Sequence, residues 1–118
     1  MSENKIPGVN MEAGIDLYGG EMDIYISALE SFAANTPSVI DLLRKVTEDN
    51  LQEYAINVHG LKSVSSTIAA EDISGRAKKL ELMAKSGDFS GIMAENDQLL
   101  KDTEILVSNI KNWLNNNQ

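Results

Sequence analysis

The chain has 118 residues, 42% of them hydrophobic, which suits one core and about one domain. It has no cysteine, and this excludes disulfides, thiolate zinc sites and cysteine nucleophiles. A formal net charge of −8 argues against nucleic acid, whose phosphates call for clustered Lys and Arg.

Prolines number two, β-branched alternation is scarce, and apolar residues recur at three- and four-residue spacing almost throughout. That pattern predicts an all-α chain. Residues 1–9 are expected to form an irregular leader closed by Pro7 and Gly8. The opening MSENKIPGVN has no apolar signal-peptide core, and no apolar run approaches the roughly 18–20 residues that span a membrane. A soluble, cytoplasmic domain without membrane contact is expected, free-standing or carried by a longer membrane-anchored protein.

Asn10 can cap a brief helix through Asp16 and Leu17, ended by Gly19-Gly20. A second helix is predicted near residues 21–34, with Met22, Tyr25, Ala28, Leu29 and Phe32 on one stripe. Thr36-Pro37 then resembles an N-cap followed by proline at the first helical position, where its missing N–H is harmless. The helix it would open carries Val39, Ile40, Leu43 and Val46 inward and ends near Asp49.

Asn50 with Glu53 three residues on resembles a capping box for the next helix, which runs to about Ile68 and carries His59. Glu71 and Asp72 suit the first turn of a further helix, since acids favour the positive end of the macrodipole. Its stripe is Ile73, Ala77, Leu80 and Ala84, and Gly87 can stop it in a left-handed conformation. Asp88 can cap a last helix over residues 89–115, ahead of a tail expected to fray over 116–118. Its pairs Ile92/Met93, Leu99/Leu100, Leu106/Val107 and Trp113/Leu114 repeat every seven residues. Such a repeat fits a coiled-coil partner helix or, better in so short a chain, the core of a bundle. No repeat or linker divides the chain. The prediction is one domain over 1–118: an antiparallel four-helix bundle with one or two additional short N-terminal helices.

His59 is the only histidine. With successive residues about 100° apart, Leu51, Tyr54, Val58, Leu61, Ser65 and Ile68 fall within about 100° and form the buried stripe. His59 lies roughly 130° from its centre and is expected to face solvent or a shallow groove. Ala55 and Ser63, four residues either side, share that face, with Lys62 and Ser66 slightly further round. All but Lys62 are small, so the ring is open to another protein. Residues 62–85 hold five bases and three acids, whereas the remainder holds five bases and fifteen acids. A mildly basic surround on an acidic body favours a small anion or an acidic partner, although ordinary charge scatter gives the same count.

One imidazole with scattered carboxylates falls short of a metal ligand set. No Ser elbow, oxyanion loop, P-loop, kinase Gly-rich loop or dinucleotide fingerprint accompanies it. An open imidazole can instead be a nucleophile toward something brought to it, such as a phosphoryl group, with Lys62 one turn away to meet the oxygens. A surface histidine on a helical adaptor is the competing reading.

The segment VHGLKSVSSTIAAEDISGRAKKLELMAKSGD, residues 58–88, resembles the histidine-containing phosphotransfer (HPt) domain of two-component phosphorelays. It has the His, a hydrophobe two on, Lys three on, a small residue four on, and a second helix ending in Leu-Glu, Ala and Gly-Asp. IPGVNMEAGIDLYGGEMDIYISALESFAANTP is similar to the lead-in of these domains, so the resemblance covers nearly the whole chain. It departs at two positions. Many relatives have Gly four residues after the histidine, where this chain has Ser63, and most have Gly ten residues after it, where this chain has Ala69.

The resemblance implies His59 as phosphoacceptor and Lys62 as the cation beside the phosphoryl group. Glu81 falls where relatives carry a Gln or Glu that accepts from the imidazole Nδ1–H and leaves Nε2 to attack. Ala55, Ser63 and Ser66 would belong to the partner interface. It further implies a carrier rather than an enzyme, with no cofactor of its own and with Mg²⁺ supplied by the partner. The partners implied are response-regulator receiver domains, in free regulators or a hybrid sensor histidine kinase, and the domain is expected to be a monomer. The phosphoacceptor domain of a chemotaxis-type histidine kinase is an alternative within the same chemistry.

Overall fold

A computed structural model describes residues 5–117. Among them are five α-helices: α1 (Met11–Leu17), α2 (Met22–Arg44), α3 (Leu51–Thr67), α4 (Glu71–Lys85) and α5 (Phe89–Asn116). A 3₁₀ turn covers Glu48–Asn50, and the described residues contain no strand. Residues 1–4 of the expected leader and Gln118 of the expected tail lie outside the described residues.

Several boundaries follow from local chemistry. Asn10 Oδ1 accepts the Ala13 N–H at 3.1 Å to open α1, and Asp88 Oδ1 accepts the Gly91 N–H at 2.9 Å to open α5. Gly87, at φ +76°, ends α4 in the left-handed conformation that a side chain resists. Residues 116 and 117 of the tail are not frayed as predicted. Asn116 is helical, and Asn117 Nδ2 donates to the Trp113 carbonyl at 2.9 Å.

Three predicted boundaries are corrected, the first being that the helix expected to end near Asp49 stops at Arg44, short of Val46. Pro37 opens no helix; it lies inside α2, which runs unbroken through residues 34–36. Proline there forfeits the hydrogen bond to the Ala33 carbonyl and crowds it. However, Tyr25, Leu29, Phe32, Thr36, Ile40 and Leu43 form one continuous buried stripe across it. At about 1.5–3 kcal/mol for each large apolar side chain buried, that packing outweighs the roughly 3 kcal/mol an interior proline costs. The capping box near residue 50 is also displaced. Thr47 is the cap: its N–H donates to Asn50 Oδ1 at 2.8 Å and its own side chain accepts from the Asn50 backbone. Asn50 is therefore the reciprocating residue and makes no side-chain cap of its own for α3.

Tertiary packing closes a ring of neighbours, α2 on α3, α3 on α4, α4 on α5 and α5 on α2, with α1 laid against α2. The apolar pairs along α5 are thus covered from within the chain: Ile92, Leu99, Leu100, Leu106, Val107 and Trp113 are buried, and Met93 is exposed. Direction follows from which residues meet. His59 faces Glu81 and Ser66 faces Ser74, so α3 and α4 are antiparallel. Arg76 reaches Asp102 and Lys79 reaches Glu95, so α4 and α5 are antiparallel as well. Tyr18 and Tyr25 donate to the Thr67 and Ile68 carbonyls at 2.8 and 2.9 Å, satisfying the end of α3. Gly14 is required where α1 meets α2, because a Cβ there would lie 2.3 Å from the Tyr25 ring.

Residues 5–9 of the leader are irregular but anchored. Ile6 is buried in the core, Asn109 donates to the Pro7 carbonyl, and the Asn10 N–H donates to the Ala69 carbonyl at 3.0 Å. Ala69 itself, between α3 and α4, has φ +59°. Among the described residues no helix is long and apolar enough to cross a membrane.

Candidate functional site

The site is built where α3 and α4 lie side by side. On α3, Tyr54, Val58, Leu61 and Ser65 turn inward at three- and four-residue spacing. His59 follows Val58 by one residue, about 100° round the helix, and so emerges at the edge of the buried stripe. Its side chain is 53% exposed. On α4, Ala77, Leu80 and Ala84 form the inward row, and Glu81 follows Leu80 by one residue. Because α4 packs closely on α3, the same step leaves the Glu81 side chain only 7% exposed, beneath the histidine.

Glu81 is the centre of the cluster. Its Oε2 lies 3.0 Å from His59 Nδ1 and 3.0 Å from Lys85 Nζ, and its Oε1 lies 3.3 Å from Lys62 Nζ. Burial alone would raise the Glu81 pKa, but hydrogen bonds from Lys85, His59 and Lys62 outweigh it and hold the carboxyl down to about 2. An ionised carboxylate only accepts, so Nδ1 carries the proton in this contact. In the neutral ring, Nε2 is then the nitrogen with the free lone pair, and it has no hydrogen-bond partner among the described residues. Two ammonium groups against one carboxylate leave one positive charge in excess in the cluster.

The structure therefore brings His59, Lys62 and Glu81 together. Ser63 and Ser66 are exposed on the same helix. Ser66 is committed elsewhere, however: its hydroxyl donates to the Lys62 carbonyl at 3.0 Å and lies 2.7 Å from Ser74 Oγ, which reaches the same carbonyl at 3.2 Å. This pair of hydroxyls fastens α3 to α4 just beyond the site. Ala55 does not belong to the exposed face expected of it. It is buried in the core cluster, because it lies only about 90° from the centre of the buried stripe and its side chain ends at Cβ.

Two participants were missed from the sequence. Lys85 carries a signal that was available, the i, i+4 spacing from Glu81 that places opposite charges on one helix face. Ile56, 72% exposed one turn before His59, adds a large apolar side chain to a face expected to be small. Val64 on α3 and Leu82 on α4 are exposed as well. Among the described residues no group of three or more His, Cys, Asp or Glu could hold a metal ion.

The chain matches no protein-family profile, no curated protein and no solved structure. The chemistry of the site consequently rests on its own geometry: one accessible imidazole nitrogen, its tautomer set from below, within a net positive surround.

Proposed function

We propose that this chain is a phosphorelay carrier of the HPt kind. In this reading it takes a phosphoryl group onto His59 from a receiver-domain aspartate and passes it to another. The ring of helices α2–α5 supports the antiparallel four-helix bundle that the HPt resemblance implies, with α1 as the additional short N-terminal helix. The observation that carries the proposal is the state of His59: half exposed, Nδ1 held by an ionised, buried Glu81, and Nε2 free.

In the loading step the Nε2 lone pair attacks phosphorus as the P–O bond to the aspartate breaks. The bonding pair leaves on the aspartate as carboxylate, and Nδ1 keeps its proton against Glu81. Two negative charges on the phosphoryl aspartate become one net charge on the phosphoimidazolium and one on the carboxylate. Glu81 steadies the cationic ring, and Lys62 meets the phosphoryl oxygens. The reaction runs back by the same path onto a second aspartate. Mg²⁺ and the acidic pocket belong to the receiver domain, so the carrier contributes an imidazole, cations and a docking face. Gly60, Ser63 and the exposed Ile56 provide a low, partly apolar surface for such a face.

The test is incubation with a phosphorylated receiver domain. Acid-labile, alkali-stable label on the wild type but not on His59→Gln is expected. Label arising only from ATP with a kinase catalytic domain would assign the chemotaxis-kinase role instead. No label from either donor would leave a helical adaptor.

A further inference from the structure

The one carboxylate at the site is shared unequally. Oε2 is taken by His59 Nδ1 and by Lys85, both at 3.0 Å, while Oε1 is held only by Lys62 at the longer distance of 3.3 Å. Lys62 belongs to α3, one turn on from His59, and is 27% exposed; Lys85 belongs to the last turn of α4 and is 64% exposed. Under the reading above, Lys62 has two anions to serve in turn, Glu81 in the empty carrier and the phosphoryl oxygens in the loaded one. Turning to the second removes a cation from a buried carboxylate, and an unpaired buried charge is strongly unfavourable. Lys85 contacts the other oxygen and has no phosphoryl role to leave for.

Resting on that reading, we propose that Lys85 is a positioning residue: it keeps Glu81 charge-balanced so that Lys62 is released toward the phosphoryl group. With Lys85 in place the carboxylate remains paired whichever way Lys62 points, and the His59 Nδ1 contact survives the change. Without it, Lys62 becomes the sole ammonium on Glu81 and is held there. Lys85 thus acts through Lys62 and need not touch the transferred group.

A double-mutant cycle tests this by measuring transfer from a phosphorylated receiver domain to wild type, Lys85→Met, Lys62→Ala and the double variant. Lys85→Met is expected to slow loading about fivefold, the scale of one partly exposed ion pair, and Lys85→Arg to restore it. In the Lys62→Ala background, which has no Lys62 to release, the same Lys85→Met change is expected to slow loading by clearly less than fivefold. Equal slowing in both backgrounds, or no slowing in either, overturns the proposal, since a merely structural lysine acts independently of Lys62. A parallel arm loads the protein chemically with phosphoramidate and follows the lifetime of the phosphohistidine in the same four proteins. Non-additive lifetimes are expected, and additive ones count against the coupling. A wild type that takes label from phosphoramidate but from no receiver domain rejects the carrier reading, while the coupling of the two lysines is still measured.

Discussion

Tyr54 and His59 leave the same helix five residues apart, and each is satisfied by a polar group that another element brings to it. The Tyr54 hydroxyl donates to Asn96 Oδ1 at 2.7 Å, and Asn96 Nδ2 donates to the Leu43 carbonyl at 3.0 Å. This chain joins α3, α5 and α2, is buried throughout, and is neutral, since burial pushes the Tyr54 phenol above its usual range. At His59 the partner is an ion, the ring is half exposed, and one nitrogen is left over. A closed neutral network fixes helices relative to one another. An open ionic cluster with a surplus cation leaves the histidine ring half exposed with one nitrogen uncommitted among the described residues.

Mutations at the two places are expected to separate stability from transfer. The largest effect expected is at His59: His59→Gln abolishes acid-labile label, while circular dichroism and melting remain those of the wild type. Asn96→Ala does the reverse. It strands the Tyr54 hydroxyl and the Leu43 carbonyl and is expected to lose about 3 kcal/mol in urea titration, with receiver-dependent labelling retained under native conditions. A protein that lost label as steeply as stability on Asn96→Ala would erase the distinction.

Pro37→Ala acts at neither place and calibrates the scaffold between them. It restores a backbone donor toward Ala33 in the middle of α2 and is expected to add about 2 kcal/mol, net of the freedom regained by the unfolded chain. The smallest signal is one of slope. Glu81 is held at about 2 in the folded protein against an ordinary 4.5, so its contribution is complete above pH 4.5 and is lost as pH falls from there through 2. Glu81→Gln removes this component. Its urea midpoint should fall less steeply than the wild type's across that window, and parallel curves would show that the carboxylate is not held as described.

What was legible before the structure was known divides along the same line. Helix ends that depend on one side chain, Asn10, Gly87 and Asp88, could be placed because the signal and the bond it makes are within a few residues. The inward rows of α3 and α4 were legible from periodicity, and these rows set the angle of His59. Pro37 was misread because its local meaning, a helix start, is overridden by a stripe that continues on both sides of it. Ala55 was misplaced because burial at the edge of a stripe depends on the neighbouring helix. The meeting of Glu81 with His59 was reached only through the HPt resemblance, since the two are 22 residues apart and nothing local joins them. Ala69 occupies a position that the HPt resemblance gives to glycine. The chain turns there at φ +59° although the residue is alanine, with Asn10 closing on its carbonyl.

The single tryptophan offers a practical use. Trp113 is buried near the end of α5, whereas Glu95, paired with Lys79, is 18 residues earlier and so about 27 Å away along the axis. Indole fluorescence therefore registers loosening of the C-terminal end of the longest helix, remote from the level at which Lys79 of α4 meets it. One cuvette can report folding by emission while the same sample is assayed for bound phosphorus.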